Sequence, residues 1–374
     1  MAATEEVGAG MTARHARVRA PLLAACLLAA GCAGPGYYLQ AIGGHWTLMR
    51  AREQIAVVLD DPATDPALAQ NLRSAHDILN FAETVLDLPA NDSYSSYVET
   101  GRSAVVWNVI AAPEFSLQAR KWCFPVAGCV PYRGYFEADK AQRFANRLRA
   151  KGLDVTVRPS TAYSTLGWFS DPLLDTMMAT DDKLLAATLF HELAHQRLYV
   201  SGDTAFSEAY ASFMEREGVH AWLASQDRHA QIVTWRQRLA ALDDFNLLQA
   251  QTRTRLTKLY ASSLPEPAMR EAKQQVLTDL QAQYQDMVRE RWNGSDWFGG
   301  WFASGFNNAG LALFSNYHSG LCAFARLFED AGGDFEEFQR LAARQAQLPD
   351  AARATWLGQA CTGPGPDIAP GGDM

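Results

Sequence analysis

The chain has 374 residues, 48% of them apolar, and a formal net charge of −8. That composition supports a sizeable core, and the length allows one large domain or two ordinary ones. The acidic balance, with no long Lys/Arg run, argues against nucleic acid as a partner, and no stretch approaches the roughly 20 apolar residues of an ordinary membrane span.

The N-terminus departs from this character. Arg14, Arg17 and Arg19 precede an apolar stretch, Pro21–Ala30, of signal-peptide length. The segment closes on Ala-Gly-Cys at Cys32, which resembles a bacterial lipoprotein cleavage site, where the cysteine takes a lipid. "LAAC", ending at Cys26, is a rival site. Cleavage there would leave a shorter apolar region and an apolar mature start, so Cys32 is preferred. The expectation is an exported protein at the periplasmic face of the envelope, lipid-anchored through Cys32, with residues 1–32 removed as signal. Four cysteines then remain: Cys123, Cys129, Cys322 and Cys361. In an exported protein disulfides are the default. Cys123 and Cys129 flank the short Pro/Gly loop "CFPVAGC", so they form the expected pair and leave Cys322 with Cys361.

Residues 36–88 read as two helices, parted by the breaker "DDPATDP", with Asp65-Pro66 suited to the second start. "SAVVWNVIAAPEF" and "DVTVRPSTAYSTLGWF" are β-branched and aromatic, as strands are. Between them "FEADKAQRFANRLRAKG" is an amphipathic helix that ends at Gly152. Residues of about 103–170 thus form a small α/β section. The rest, about 181–358, reads as helical. One helix carries "LFHELAHQRLYV" and stops at Ser201-Gly202. The next, "DTAFSEAYASFMEREG", is capped by Asp203 or Thr204 and closed by Gly218. Helices over about 221–262 and 266–292 form a hairpin broken at "SSLPEP", and "WNGSDWFGGWFASGF" is a Gly/Trp loop. Helices resume from about Asn307 to Leu357. Residues 33–362 are taken as one α+β domain, and 363–374 as a loose tail.

His191 and His195 stand at i and i+4, so one helix face carries both imidazoles, and Glu192 lies beside the first. This is the H-E-x-x-H arrangement of zinc proteases. A pair of core histidines is the plainer alternative, but unpaired His and Glu on an apolar helix are costly, and a metal ion removes that cost. A catalytic zinc takes three protein ligands and keeps one position open. No histidine follows until His220, which excludes the metzincin pattern. Glu208, thirteen residues beyond His195, has the small neighbours Ala205, Ala209, Ala211 and Ser212, and is the expected third ligand. A helix-capping glutamate is its plainer reading. Glu215 and Glu217 sit in "EREG", which reads as a solvated helix end. The predicted chemistry has zinc-bound water attacking a peptide carbonyl, with Glu192 as general base and one zinc ion as cofactor.

Substrate contacts are read from two further stretches. "TAYSTLGWFSDPLL" precedes the metal helix, and Gly167 would let a peptide backbone approach as an added strand; an ordinary strand and bulge is the equal rival. "FNNAGLALFSNYHSG" offers Tyr317 or His318 as donors to the oxyanion, and Asn307 and Asn308 to hold substrate, against the equal reading of a helix N-cap.

Five stretches together resemble the predicted zinc aminopeptidases of bacteria, many of them lipoproteins: "GCAGPGYYLQAIGGH", "WCFPVAGCVPYRGYF", "YSTLGWFSDPLL", "FHELAHQRLYV" with "TAFSEAYASF", and "FNNAGLALFSNYHSG". The resemblance carries the zinc motif onto His191, Glu192 and His195, with Glu208 as the matching acidic position. It implies a predominantly helical α+β fold, a zincin-like metallopeptidase with a small β-sheet before the metal-binding helix, and exopeptidase action on peptides. Two alternatives stay open: a zinc endopeptidase acting on envelope proteins, and a non-catalytic lipoprotein that binds partners through the helical hairpin.

Overall fold

The computed structural model describes residues 34–124, 128–163, 165, 170–178, 181–303, 305–312 and 320–359. The first helices are α1 (Pro35–Arg50), α2 (Ile55–Asp60) and α3 (Pro66–Thr84). Asp65 starts α3 by accepting hydrogen bonds from Ala67 N and Leu68 N at 2.9 and 3.0 Å, with proline in the first turn. The antiparallel sheet follows: β3 (Val106–Pro113) is central, between β6 (Arg133–Tyr135) and β7 (Leu153–Ser160). Helix α4 (Ala138–Arg149) connects β6 to β7 and lays Ala141, Ala145 and Leu148 on Val109, Ala111 and Val155. A hairpin, β4 (Trp122–Phe124) and β5 (Gly128–Val130), is closed by a Cys123–Cys129 disulfide. Cys322 is disulfide-bonded as well; Cys361 lies outside the described residues.

A second sheet stands before the metal helix. In it β2 (Ser96–Val98) pairs with β1 (Glu53–Gln54) on one side and, in parallel, with β8 (Leu173–Leu174) on the other. After the short α5 (Asp175–Met178) come α6 (Asp182–Arg197) and α7 (Thr204–Ser225). Helix α7 does not close at Gly218 as the sequence suggests; it runs seven residues further. The glycine is there for packing: an added Cβ would lie 2.9 Å from both Leu86 Cδ1 and Phe190 Cδ2. Helices α8 (His229–Tyr260) and α9 (Glu266–Glu290) form the expected hairpin, packed through Phe245, Leu280 and Tyr284. The chain continues through α10 (Gly300–Ala303), α11 (Asn308–Ala312), α12 (Leu321–Asp330), α13 (Phe335–Ala346) and α14 (Asp350–Leu357).

The fold is therefore α+β and predominantly helical. Its main core joins α3, α6, α7, α12 and α13 through Ile78, Phe190, Phe206, Tyr210, Phe324 and Phe338. Helices α6 and α7 are gripped on several sides by this core. Among the described residues no helix is long and apolar enough to cross a membrane.

Candidate metal centre

Asp181 opens α6 by accepting Leu184 N at 3.0 Å, an acidic cap on the positive helix end. Leu185, Leu189, Phe190 and Leu193 then bury the helix, and His195 is only 6% exposed. The return to α7 is tightly fixed. Gly202 takes the left-handed backbone (φ +86°). Asp203 caps α7 through Phe206 N at 3.0 Å and holds Arg353 Nε at 2.6 Å. The buried Ser207 hydroxyl receives Val200 N at 3.1 Å and donates to Asp203 O at 3.0 Å. With this turn pinned and Gly218 allowing close approach further along, Glu208 is set against the two histidines.

His191 Nε2 and His195 Nε2 are 3.1 Å apart. Glu208 Oε2 is 3.5 Å from the first nitrogen, and its Oε1 is 3.6 Å from the second. With metal bonds of about 2.0–2.2 Å, donors at a tetrahedral angle stand about 3.3–3.6 Å apart, so these three converge at a spacing that suits one metal ion. Behind them, His191 Nδ1 faces Glu215 Oε2 at 3.2 Å. Arg238 of α8 lies within the electrostatic reach of Glu215. The sequence reading of Glu215 as part of a solvated helix end is thus corrected. Glu208 and Glu215 are seven residues apart, two helical turns, and that spacing was the signal that placed both on the α6-facing side.

The electrostatics point the same way. Burial acts to lower the His191 pKa, but contacts with Glu208 and Glu215 and the charge of Glu192 outweigh it and carry the ring up to about 10. His195 moves to about 4, through burial first and then the like charge of His191. Burial also opposes the ionised Glu208, yet the two histidines hold its carboxyl below the ordinary value. Three carboxylates thus surround two imidazoles, and the cluster retains one proton strongly. A dication held by the same donors would satisfy that demand more fully.

Tyr94 is a neighbour the sequence reading missed. It is buried, in the left-handed region at φ +63°, which is costly for a bulky residue, and its amide donates to Asp171 O at 2.6 Å. Burial, then the charges of Glu192 and Asp171, keep its phenol protonated far above the usual range.

Asn307 and Asn308 are held elsewhere. The Asn307 carboxamide caps α11, accepting Ala309 N at 3.0 Å, and reaches Val155 O at 3.3 Å. Asn308 is fully buried; its amide donates to Pro113 O and Glu114 O, and its oxygen accepts the Tyr260 hydroxyl at 2.8 Å. The capping alternative describes Asn307; Asn308 is instead a buried link from α11 to the end of β3 and to Tyr260, because a short helix against a sheet end needs its polar groups satisfied. Gly167, Tyr317, His318 and Cys32 lie outside the described residues.

A carboxylate and two imidazoles on packed helices, with a glutamate beside the first imidazole, define a candidate metal centre in an α+β protein. The chain belongs to the family described as "Putative aminopeptidase", whose model matches residues 36–357. No curated protein and no solved structure matches it.

Proposed function

We propose that this protein is an exported, zinc-dependent aminopeptidase of zincin-like architecture. The observation that carries the reading is the convergence of His191 Nε2, His195 Nε2 and the Glu208 carboxylate beside Glu192, in a chain of an aminopeptidase family. His191, His195 and Glu208 would hold the ion. Bound there, zinc supplies Lewis acidity and makes water a competent nucleophile at neutral pH. Glu192 takes the proton from the attacking water and returns it to the leaving amine. Glu215 fixes the tautomer and orientation of His191 through Nδ1. Glu192 and Glu208 are both partly exposed, which would leave a scissile peptide bond access to them.

The decisive experiment uses the full chain with zinc, and peptides with free or acetylated N-termini. Hydrolysis confined to free N-termini, lost on chelation and reduced about 10²–10⁴-fold in Glu192→Gln with zinc still bound, supports the reading. Equal cleavage of blocked peptides would make the protein an endopeptidase, and no cleavage of either would leave a binding lipoprotein. Export and anchoring rest on the Arg14–Arg19 and Pro21–Ala30 pattern before Cys32. Incorporation of a labelled fatty acid, abolished by Cys32→Ser, tests them separately.

A further inference from the structure

Lys140, Arg143 and Arg147 of α4 follow one another at i, i+3 and i+7, on one helix face. They line a cavity of about 390 Å³ with Arg133 of β6 and the first turn of α1. A row of cations on a helix is ordinarily no more than a solvated face. Arg133 makes this one different.

Arg133 is only 9% exposed. Its guanidinium carbon lies 3.9 Å from the Tyr37 ring centre, 4.6 Å from that of Phe144 and 5.6 Å from that of Tyr135. Its Nε is buried with no hydrogen-bond partner. Among the described residues no carboxylate pairs with it. Burial, with the like charge of Arg147, depresses its pKa despite the opposing tyrosines. Buried arginines are normally paired, and an uncompensated one is costly. Among the described residues the one carboxylate paired with the cluster is Glu137, 2.6 Å from Lys140. Four cations therefore face one anion. Helix α1, 16 residues long, adds its positive end, and the space beside Gly36 there is open.

The geometry points to an anion-binding site for a phosphate-bearing ligand, with Arg133 as its buried floor and Arg143 and Arg147 at its mouth. A carboxylate would leave most of this charge uncompensated. Phosphate carries more charge and several strong acceptor oxygens, and it matches the guanidinium fork. Two sources share that chemistry: a soluble phosphomonoester and a phospholipid headgroup. If Cys32 carries the lipid, as proposed above, the headgroup is favoured by position, since Gly34 lies two residues beyond it, at most about 7 Å of chain. Leu39, Ile42 and Trp46 of the same helix are exposed as well.

The test takes the full chain. Inorganic phosphate and glycerol 3-phosphate are titrated by calorimetry, and co-sedimentation compares phosphatidylglycerol with phosphatidylcholine vesicles. Arg143→Ala with Arg147→Ala changes exposed residues and is expected to leave the circular dichroism unchanged; Arg133→Gln probes the floor. Saturable binding of the soluble phosphates, weakened at least tenfold in both variants, supports the site with a soluble source. A preference for phosphatidylglycerol alone, weakened likewise, supports it with a headgroup source. Absence of both forms of binding would overturn the proposal. So would an equal loss in the charge-matched control, Arg326→Ala with Arg344→Ala, whose residues lie outside the cavity.

Discussion

His191 stands between two carboxylates of a single helix: its Nε2 is 3.5 Å from Glu208 and its Nδ1 is 3.2 Å from Glu215. The two glutamates are two turns apart on α7, so the spacing of one helix determines both what the ring presents forward and what holds it behind. With Nδ1 donating to Glu215, Nε2 is the nitrogen that a metal ion would take in place of its proton.

Replacing Glu215 by Gln keeps the size of the side chain and removes its charge. Loss of such a partner commonly weakens metal affinity about 10–100-fold. We expect that range for zinc in a competition titration, with His195 and Glu208 still sufficient to hold the ion. Unchanged affinity would show that Glu215 does not orient the ring.

Gly218 governs how closely α7 lies on Phe190, the residue next to His191. Gly218→Val improves helix propensity by a fraction of a kcal/mol, while its side chain collides with the Phe190 ring and Leu86. Overpacking of this kind costs about 1–3 kcal/mol, so net destabilisation is expected in denaturant melts. Zinc affinity should fall too, because Glu208 is carried by the displaced helix. A variant as stable as the parent would remove the packing role assigned here.

The legible parts of the site were those with a short spacing in the chain. His191, Glu192 and His195 fall within one and a half helical turns, and the small residues around Glu208 mark a close-packed face. Glu215 was hidden by composition: "EREG" looks solvated unless its seven-residue spacing from Glu208 is considered. The same stretch concealed the true course of α7, since Gly218 reads as a stop when only the sequence is seen and as a contact when Phe190 is in place. Most helices and the longer strands β3 and β7 were visible through their periodicity and β-branched content, but the first helix expected in residues 36–88 is interrupted by β1 and divides into α1 and α2. The β1, β2 and β8 pairings were not, because two- or three-residue strands have no period to read and are fixed by tertiary contact. Tyr94 was missed for a related reason: its place near Glu192 depends on a backbone conformation that no local residue pattern announces.

Asn308 provides a test between structure and substrate. Its side chain is engaged by Pro113 O, Glu114 O and the Tyr260 hydroxyl. Asn308→Ala leaves these buried groups short of partners, which costs about 1–3 kcal/mol. Thermal melts should show that loss while KM for a peptide stays unchanged in the folded enzyme. Unchanged stability with a raised KM would instead give Asn308 the substrate role that its position in the sequence allows.

The two histidines also predict how stability depends on pH once the chain is stripped of metal by a chelator. In the unfolded chain each ring titrates near 6.5. His191 is raised on folding to about 10, so its contribution is complete below 6.5 and is lost as pH climbs toward 10. His195 is lowered to about 4, so folding must exclude a proton that the unfolded chain accepts, and stability declines as pH falls from 6.5 toward 4. The pair thus favours a maximum near pH 6.5 with a decline on each side. Glu215→Gln removes one of the groups that raise His191 and should flatten the alkaline limb while leaving the acid limb in place. Saturating zinc replaces the His191 proton and should flatten that limb as well. Melting temperatures from pH 4 to 10, for parent and variant, check both limbs; an alkaline limb identical in the two proteins would show that Glu215 does not set the charge of His191.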